Sequence, residues 1–520
     1  MCRSKLSLHV VLFIAVLLIG IFARTWEFGS LPPGVNQDEA SNGVDAFSLY
    51  HYGIDRNGVS FPVFMISWGG GQNALNVYAM IPFIAVGGLS PFTVRLPALI
   101  SGILTLPLVY FIGRRTINEK FGLAAMFLLA ISPWHILISR WGFEGNLLPF
   151  IFSLAYLLVL KSTDDGKWFI PAMLFMGLCL YAYGPAYAGV PLFLLGALAI
   201  LIRTHKASWK YLILGLIVLG IVGAPIALFV LINALHLDTI QLGPITIPRL
   251  LALPRWETVS AAREGGLLPN LTQGVERFVR LLWVQEDGFI VNTVPPYGYF
   301  YTYTLPLAVL GAVLLIPFRG TNKLVERWLL GAWLIAAILV GVLQEANINR
   351  VNLIFIPLLF CIAAVLVWIA EHTKIGLVIA VSTFLIAFAF FTRAYHGPEY
   401  RATMDNEFAS GLTQAVDFAA RQGDNPICIP KIVHQSYIYV LFSQQLNPAD
   451  YLPTIKYNNP RAIARQVLHL GRYSFGAKQC PDDTRTIYII SSEAPPQNGV
   501  VYNAQTFGNF TVYVPNTNSQ

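Results

Sequence analysis

Long apolar runs recur along the first three quarters of this chain and are separated by short polar loops. A helix needs about 20 mostly apolar residues to cross the core of a bilayer. Charged residues make up only 12% of the 520 residues, where a soluble protein carries about twice that share. The pattern predicts a polytopic α-helical membrane protein. The net charge of +7 then reflects membrane topology, and we expect no nucleic-acid partner.

Eleven of these runs are predicted to span the membrane. They lie near residues 7–25, 91–112, 121–139, 147–161, 168–184, 186–202, 211–233, 300–317, 327–343, 353–370 and 375–392. We interpret the first run as an uncleaved span, because its apolar stretch is long for a signal peptide.

Basic residues are concentrated on one side of these spans. The short loops on that side, together with Arg3 and Lys5, hold fourteen Lys and Arg against five acids. Cytoplasmic loops carry such an excess, so this side is predicted to be cytoplasmic. The loops 26–90 and 234–299 and the tail 394–520 then lie outside. We expect a multi-pass cell-membrane protein with its N-terminus in the cytoplasm.

The tail 394–520 differs in composition from the rest. It alternates helix-like stretches such as "GLTQAVDFAARQG" with strand-like stretches such as "RTIYIISSE". We predict a transmembrane module at 1–393 and a small extracytoplasmic α/β domain at 394–520. Cys428 and Cys480 lie in that domain and could form a disulfide there. Cys2, Cys179 and Cys361 are predicted to be free thiols.

Two adjacent acids, Asp38 and Glu39, stand in the stretch "GVNQDEASNG" after the first span. The residues that follow place Ala40, Val44, Phe47 and His51 on one helical face, which suits a helix lying in the membrane interface. Asp38 could simply cap that helix. Alternatively, its carboxylate could act as a general base near the bilayer surface. The spacing alone leaves both readings open.

The surrounding sequence resembles bacterial glycosyltransferase family 39 and the related protein mannosyltransferases and aminoarabinose transferases. The family's Asp-Glu pair is matched by Asp38-Glu39, and its Arg-Leu-Pro-Ser motif by Arg95–Ala98. Further resemblance lies in "SPWHILISRWGFEGNLLPF", "GLCLYAYGPAYAGVP", "PPYGYFYTYTLPLAVLG" and "NINRVNLIFIPLLF". The resemblance covers roughly residues 1–393. It implies the GT-C membrane fold and transfer of a sugar from a polyprenyl-phosphate carrier.

The resemblance also implies a role for Asp38. Asp38 would deprotonate the acceptor, and the sugar would be transferred with inversion. The position of Glu39 next to Asp38, independently of the resemblance, would let it orient Asp38, raise its pKa or hold a divalent metal. The acceptor could be a protein, a lipid or a glycan, and membrane lipids would surround the helices. One position departs from the family: Gln72 stands where a Lys is common, which puts the expected phosphate contact in doubt.

Other residues could belong to the same site. Arg140 and Glu144 flank the outer end of the third span, where they could contact the donor phosphate and shape the pocket, or form a structural ion pair. Arg350 could bind a lipid phosphate through its guanidinium, or meet lipid headgroups. Tyr183 and Tyr297 could line the site, although interfacial aromatic belts explain most such tyrosines.

Two other function classes fit part of the pattern. A lipid or glycan transporter, or an export component, would explain the spans, the basic loops and a lipid-facing Arg. It would not explain why the acids and arginines gather on one side of the membrane instead of near its midplane. A non-catalytic member of the family, whose tail binds glycan or protein, is the third reading.

Overall fold

The structure is a computed structural model, and its described part is discontinuous. It comprises residues 8–68, 70–206, 208–250, 267–317, 323–431, 433, 435–460, 462, 465–491 and 498–516.

The helices and strands of this part are numbered in chain order. The α-helices are α1 (Leu8–Thr25), α2 (Gln37–Tyr52), α3 (Leu75–Gly87), α4 (Pro91–Thr116), α5 (Glu119–Ala130), α6 (Pro133–Ile138), α7 (Leu148–Ser162), α8 (Phe169–Ala182), α9 (Ala186–Arg203), α10 (Trp209–Ala234), α11 (Leu267–Val284), α12 (Leu305–Leu315), α13 (Leu324–Leu343), α14 (Phe355–His372), α15 (Lys374–Tyr395), α16 (Pro398–Glu407), α17 (Leu412–Ala420), α18 (Ser436–Gln444) and α19 (Pro448–Tyr451). The strands are β1 (Phe64–Met65), β2 (Gln72–Asn73), β3 (Ile240–Leu242), β4 (Ile245–Ile247), β5 (Ile427–Ile429), β6 (Lys456–Tyr457), β7 (Val467–Leu470), β8 (Tyr473–Phe475), β9 (Ile487–Ser491), β10 (Tyr502–Phe507) and β11 (Phe510–Pro515).

The helical part has the architecture of a multi-pass membrane protein. Eight helices of the described residues are long and apolar enough to cross a bilayer, and they coincide with eight of the eleven predicted spans. They are α1, α4, α7 with the turn before it, α9, α10, α13, α14 and α15. The spans predicted near 168–184 and 300–317 are shorter apolar helices, at Gly166–Ala182 and Thr302–Leu315.

The third predicted span, 121–139, is not one continuous helix. It divides into α5 and α6, because Pro133 has no backbone N–H to continue the helical hydrogen bonds and Ser132 begins a new helix as its N-cap. The buried Arg24 of α1 donates to the carbonyls of Leu129 and Ala130 at the end of α5, at 3.0 and 3.1 Å. The break is therefore compensated by a charged donor from the neighbouring helix.

The loop predicted at 26–90 contains more structure than a connector. Its residues form α2, the β1–β2 hairpin and the apolar helix α3, which the sequence analysis did not identify. The helix α2, predicted to lie in the membrane interface, turns most of its apolar face into the protein. Its face with Ala40, Val44 and Phe47 is buried against α3 and the C-terminal region, because the sheet domain supplies an apolar surface there.

The C-terminal region contains the predicted α/β domain. Its seven strands follow the order β10-β11-β9-β5-β8-β7-β6. The central strand β5 runs parallel to both of its neighbours, and the other pairs are antiparallel. A disulfide joins Cys428 to Cys480, as predicted. Cys179 and Cys361 are buried free thiols, also as predicted, and Cys2 lies outside the described residues.

The buried apolar residues that the structure describes form two large hydrophobic cores. The larger lies among the membrane helices and continues through Tyr400, Met404 and Phe408. The second joins α2 and α3 to the C-terminal sheet, and α18 packs directly on α2. The N-terminus of α2 therefore lies where the helical bundle meets the C-terminal region from residue 394 to residue 516, which is named the outer domain after its predicted position.

Candidate active site

Asn36 fixes the start of α2 and so sets the positions of both acids. Its side chain accepts from the backbone N–H of the first turn, and Glu39 accepts from the backbone N–H of Asn36 at 3.0 Å in return. This reciprocal pair is a capping box, which satisfies N–H groups that have no partner within the helix. Asn36 is the N-cap, so the reading of Asp38 as the cap was wrong.

Glu39 is completely buried and bound on all sides by the bundle. Both of its oxygens bind the guanidinium of Arg95 on α4, at 2.8 and 2.9 Å. The backbone N–H of Gly142 donates to the same carboxylate at 2.6 Å. Two parallel N–H···O bonds between an arginine and a carboxylate are among the strongest protein hydrogen bonds. The pair ties together α2, α4 and the chain at Gly142.

Asp38 lies one residue earlier but in a different environment. It is half-buried, and its Oδ1 accepts from two uncharged donors on the β1–β2 hairpin. Gln72 donates through Nε2 at 3.0 Å, and Trp68 donates through its indole N–H at 3.3 Å. Gln72 thus contacts the acid itself. These two neutral donors orient the carboxylate of Asp38.

The outer domain supports the segment that carries these two donors. Tyr451 donates to the carbonyl of Arg56 at 2.7 Å, and Arg465 donates to Asn57 at 2.7 Å. The backbone N–H of Arg465 also donates to the carbonyl of Trp68 at 3.1 Å. The outer domain and the hairpin are therefore connected by hydrogen bonds beside Asp38.

Tyr439 of α18 brings a hydroxyl from the outer domain towards the two acids. Burial raises the pKa of Tyr439, and the negative charges of Asp38, Glu39 and Glu407 raise it further. The side chain is fully buried, so its phenol stays protonated at neutral pH. Sequence reasoning did not identify this residue.

Glu144 lies on the far side of the same hairpin. The backbone N–H of Asn73 donates to its carboxylate, and the Asn73 side chain donates to the hydroxyl of Tyr187 at 3.0 Å. Because Gln72 and Asn73 are consecutive, β2 links Asp38 to Glu144. Tyr183, another predicted site residue, packs edge-on against Phe143 beside this group.

Arg140 has a different environment from the one expected for a phosphate ligand. It is fully buried, and its guanidinium donates to the carbonyls of Arg24 and Leu31 at 3.0 and 3.1 Å. Its Nε donates to the hydroxyl of Tyr395 at 2.9 Å. These contacts join the end of α1 to α15. The geometry gives the predicted phosphate contact no support.

Arg350 and Tyr297 contact residues other than the two acids. Arg350 is partly exposed and pairs with Glu345 at 3.0 Å. Its segment returns to the site through Asn352, which donates to the carbonyl of Gly145 next to Glu144, at 2.9 Å. Tyr297 packs edge-on against Phe391 of α15.

The two acids do not form a ready metal site. Within the part of the chain that the structure describes, no group of three or more His, Cys, Asp or Glu side chains could hold a metal ion. Both oxygens of Glu39 are already bound by Arg95. We therefore derive no step that passes through a metal.

The sequence analysis named the acids but missed most of their partners. Arg95 was noted only as part of a motif that opens the second span, and Trp68 was not singled out. The signal that could have paired Arg95 with Glu39 was a charged residue inside an apolar helix, which needs a counter-charge when it is buried. No comparable local signal marked Trp68.

Comparisons with solved structures place this geometry in a known architecture. The chain superposes on ArnT from Cupriavidus metallidurans bound to undecaprenyl phosphate with a TM-score of 0.55 and 14% identity, covering 98% of both chains. The apo form of the same protein gives a TM-score of 0.53 and 14% identity over 97% of both chains. The protein has the GT-C fold.

Two further comparisons are in keeping with this GT-C fold. The oligosaccharyltransferase of Archaeoglobus fulgidus matches with a TM-score of 0.51 and 14% identity, covering 85% of this chain and 64% of its own. Residues 75–228 match the sequence model of the dolichyl-phosphate-mannose-protein mannosyltransferase family. Among curated proteins, none matches this sequence.

Proposed function

We propose that this protein is an integral membrane glycosyltransferase. It moves a sugar from a polyprenyl-phosphate carrier to an acceptor on the extracytoplasmic side of the membrane. The proposal is supported by the GT-C fold, by a similar structure that binds undecaprenyl phosphate, and by the mannosyltransferase family match at residues 75–228.

The different surroundings of Asp38 and Glu39 carry this proposal. Glu39 is sealed in the core by Arg95, whereas Asp38 keeps partial exposure and is held by the neutral donors Trp68 and Gln72. A general base needs access to the substrate and a fixed orientation. Asp38 has both, and we assign it as the base.

The reaction is a single displacement. The acceptor hydroxyl gives its proton to the Asp38 carboxylate while its oxygen forms a bond to the anomeric carbon. The bond between that carbon and the phosphate oxygen breaks, and polyprenyl phosphate leaves with the electron pair. Attack from the face opposite the phosphate inverts the configuration of the sugar.

The remaining site residues receive more distant roles in this proposal. Arg350 stabilises the negative charge on the leaving phosphate, because a guanidinium donates to phosphate oxygens in a fork. Glu144 and Tyr183 shape the pocket behind β2, and Tyr297 lines its outer approach. We reassign Arg140 as a structural residue, since its donors are used within the core.

We also propose the topology that the charge bias predicts, with the N-terminus inside and residues 394–520 outside. The disulfide between Cys428 and Cys480 supports an oxidising location for that domain. Reporter fusions after Thr116 and after Ser410 should report opposite sides of the membrane. Fusions that report the same side would contradict this topology.

The function is tested by mass spectrometry of polyprenyl-linked sugars in cells with and without the gene. The parent enzyme should consume one such lipid-linked sugar. Deletion of the gene should make that donor accumulate while one surface glycan disappears. Asp38→Asn, expressed at the parent level, should reproduce the deletion. Identical donor and glycan profiles in all three strains would contradict the proposal.

A further inference from the structure

A further charged residue, distinct from both acids, is buried behind the hairpin that contacts Asp38. Arg56 is 2% exposed and forms an ion pair with Asp45 of α2 at 2.5 Å. Burial alone would lower the pKa of Arg56, but the carboxylate of Asp45 raises it, so the guanidinium stays charged. The mechanism proposed above does not use this charge.

Hydrogen bonds run from Arg56 to Asp38 in one direction. Nη2 of Arg56 donates to the hydroxyl of Ser67 at 2.5 Å, so that hydroxyl must point its own proton elsewhere. It donates to Oε1 of Gln72 at 2.8 Å, and Nε2 of Gln72 donates to Asp38 at 3.0 Å. Ser41 lies 3.0 Å from the same Oε1, which leaves only the amide nitrogen to face the acid.

A second route passes through the indole ring. The guanidinium of Arg56 lies over the face of Trp68, 5.2 Å from the ring centre. The indole N–H of Trp68 donates to the same oxygen of Asp38 that Gln72 contacts. A cation over the ring withdraws electron density and makes the N–H a better donor. Both donors to Asp38 are therefore polarised by one buried charge.

We propose that Arg56 is a positioning residue for the catalytic step, which orients Asp38 and lowers its pKa through Ser67–Gln72 and through Trp68. This inference rests on the proposed function of Asp38 as the base. Hydrogen bonds to a carboxylate favour its charged form, and a nearby positive charge adds to the effect. The two polarised donors thus hold the Asp38 carboxylate in its charged form and in a fixed orientation.

Other charged and titratable groups also face this part of the molecule. They include Glu39 with its partner Arg95, Asp45 and Asp55 around Arg56, Glu144 behind β2, Tyr439 and Glu407 from the C-terminal region, and Arg465 and Tyr437 beside Trp68. None of these residues is altered by the hairpin variants Ser67→Ala and Trp68→Phe, which remove only neutral donors.

The test is an infrared titration of the purified full-length protein. The carboxyl band lost in Asp38→Asn identifies the Asp38 signal. In Ser67→Ala/Trp68→Phe the midpoint of that signal should rise by about one pH unit, the size expected when a carboxylate loses polarised donors. The matched control Ser60→Ala, whose hydroxyl donates to Pro244 outside this route, should leave the midpoint unchanged. An unchanged midpoint in the double variant would overturn the proposal.

The charge itself is tested by a second set. Asp45→Asn/Arg56→Gln removes the ion pair without leaving one charge buried alone, and should raise the Asp38 midpoint. Arg56→Lys keeps the charge and should restore most of the parent value. Equal midpoints in these two variants would contradict the role of the charge. If Asp45→Asn/Arg56→Gln does not fold, the test rests on the infrared titration of Ser67→Ala/Trp68→Phe.

The pH profile of sugar transfer separates this inference from the proposed function. The acid limb of the rate should shift with the infrared midpoint in each variant. If Asp38→Asn transfers sugar at the parent rate, the proposed function fails whatever the titrations show. If Asp38→Asn is inactive and the hairpin variants keep the parent midpoint, only the role of Arg56 fails.

Discussion

Two neighbouring acids at the N-terminus of α2 have opposite environments, one on the side of the helical bundle and one on the side of the outer domain. On the bundle side, Glu39 is buried against Arg95 and a backbone N–H, and these contacts join α2 to α4 and to the chain at Gly142. On the outer-domain side, Asp38 is half-buried and accepts hydrogen bonds from the neutral donors Trp68 and Gln72. The difference teaches that adjacency in sequence does not imply a shared role. In the proposed function, the bundle side provides stability and the outer-domain side provides the catalytic base.

Loss of the bundle-side ion pair should have the largest effect on stability. Arg95→Met leaves Glu39 buried without its counter-charge, which should cost about 3–5 kcal/mol of unfolding free energy. Thermal unfolding in detergent measures it. The control Arg114→Met removes an arginine from a half-exposed pair with Glu119 and should cost about 1 kcal/mol or less. Equal losses of unfolding free energy in the two variants would contradict the claim that the buried ion pair stabilises the fold more than the exposed one.

The outer-domain side depends on a domain closed by one disulfide. The chain-entropy model gives about 4 kcal/mol for a loop with the separation of 52 residues between Cys428 and Cys480. Cys428→Ser/Cys480→Ser should therefore expose the outer domain to limited proteolysis while the membrane helices stay intact. Sugar transfer should fall in parallel, because Tyr451 and Arg465 hold the hairpin beside Asp38. Unchanged proteolysis would show that the disulfide adds nothing.

Removing the amide that holds Asp38 should have an intermediate effect. Gln72→Leu leaves the hydroxyl of Ser67 without its acceptor, whereas Ser41 can still donate to the carbonyl of Asp38. The loss should cost about 1–3 kcal/mol of unfolding free energy. Transfer should also slow because Asp38 loses a donor. Gln414→Leu, at an exposed position, serves as the control and should change neither quantity. A Gln72 variant as stable and active as the parent would argue against an ordered hairpin site.

Arg350 should matter little for stability and more for the donor. Its partly exposed pair with Glu345 is expected to contribute about 1 kcal/mol or less to folding. Arg350→Gln should therefore unfold near the parent temperature, while the KM for the polyprenyl-linked donor rises. Arg277→Gln removes the other cation near Glu345 and should leave that KM unchanged. An equal rise in both variants would point to a general charge effect.

The membrane architecture could be predicted largely from sequence. Apolar length and loop charge are local properties, and they located eight helices long enough to cross the bilayer. The break between α5 and α6 was also encoded locally, in Ser132 and Pro133, but the apolar run around it hid the signal. The apolar helix α3 was missed because its thirteen residues are too few for a span.

The site could be predicted only in part. The motif resemblance pointed to Asp38 and Glu39, but the different surroundings on which their proposed roles rest depend on Arg95, Trp68 and Gln72. Asp38 and Trp68 are thirty residues apart, and the Glu39–Arg95 pair is separated by fifty-six. Such pairings arise from tertiary packing, which local periodicity does not encode. The same limit explains why Arg140, at a membrane boundary, was assigned to phosphate instead of to the core.

The central claim is tested most directly by measuring Asp38→Asn and Glu39→Gln side by side for unfolding temperature and for the initial rate of transfer. The donor is the polyprenyl-linked sugar that accumulates in the deletion strain. Asp38→Asn should unfold near the parent temperature yet transfer about 10²–10⁴-fold more slowly, the usual contribution of a general base. Glu39→Gln should lose stability, while its folded fraction keeps a rate within about tenfold of the parent, since this side chain accepts no proton in the reaction. Folded Asp38→Asn that transfers sugar at the parent rate would contradict the account.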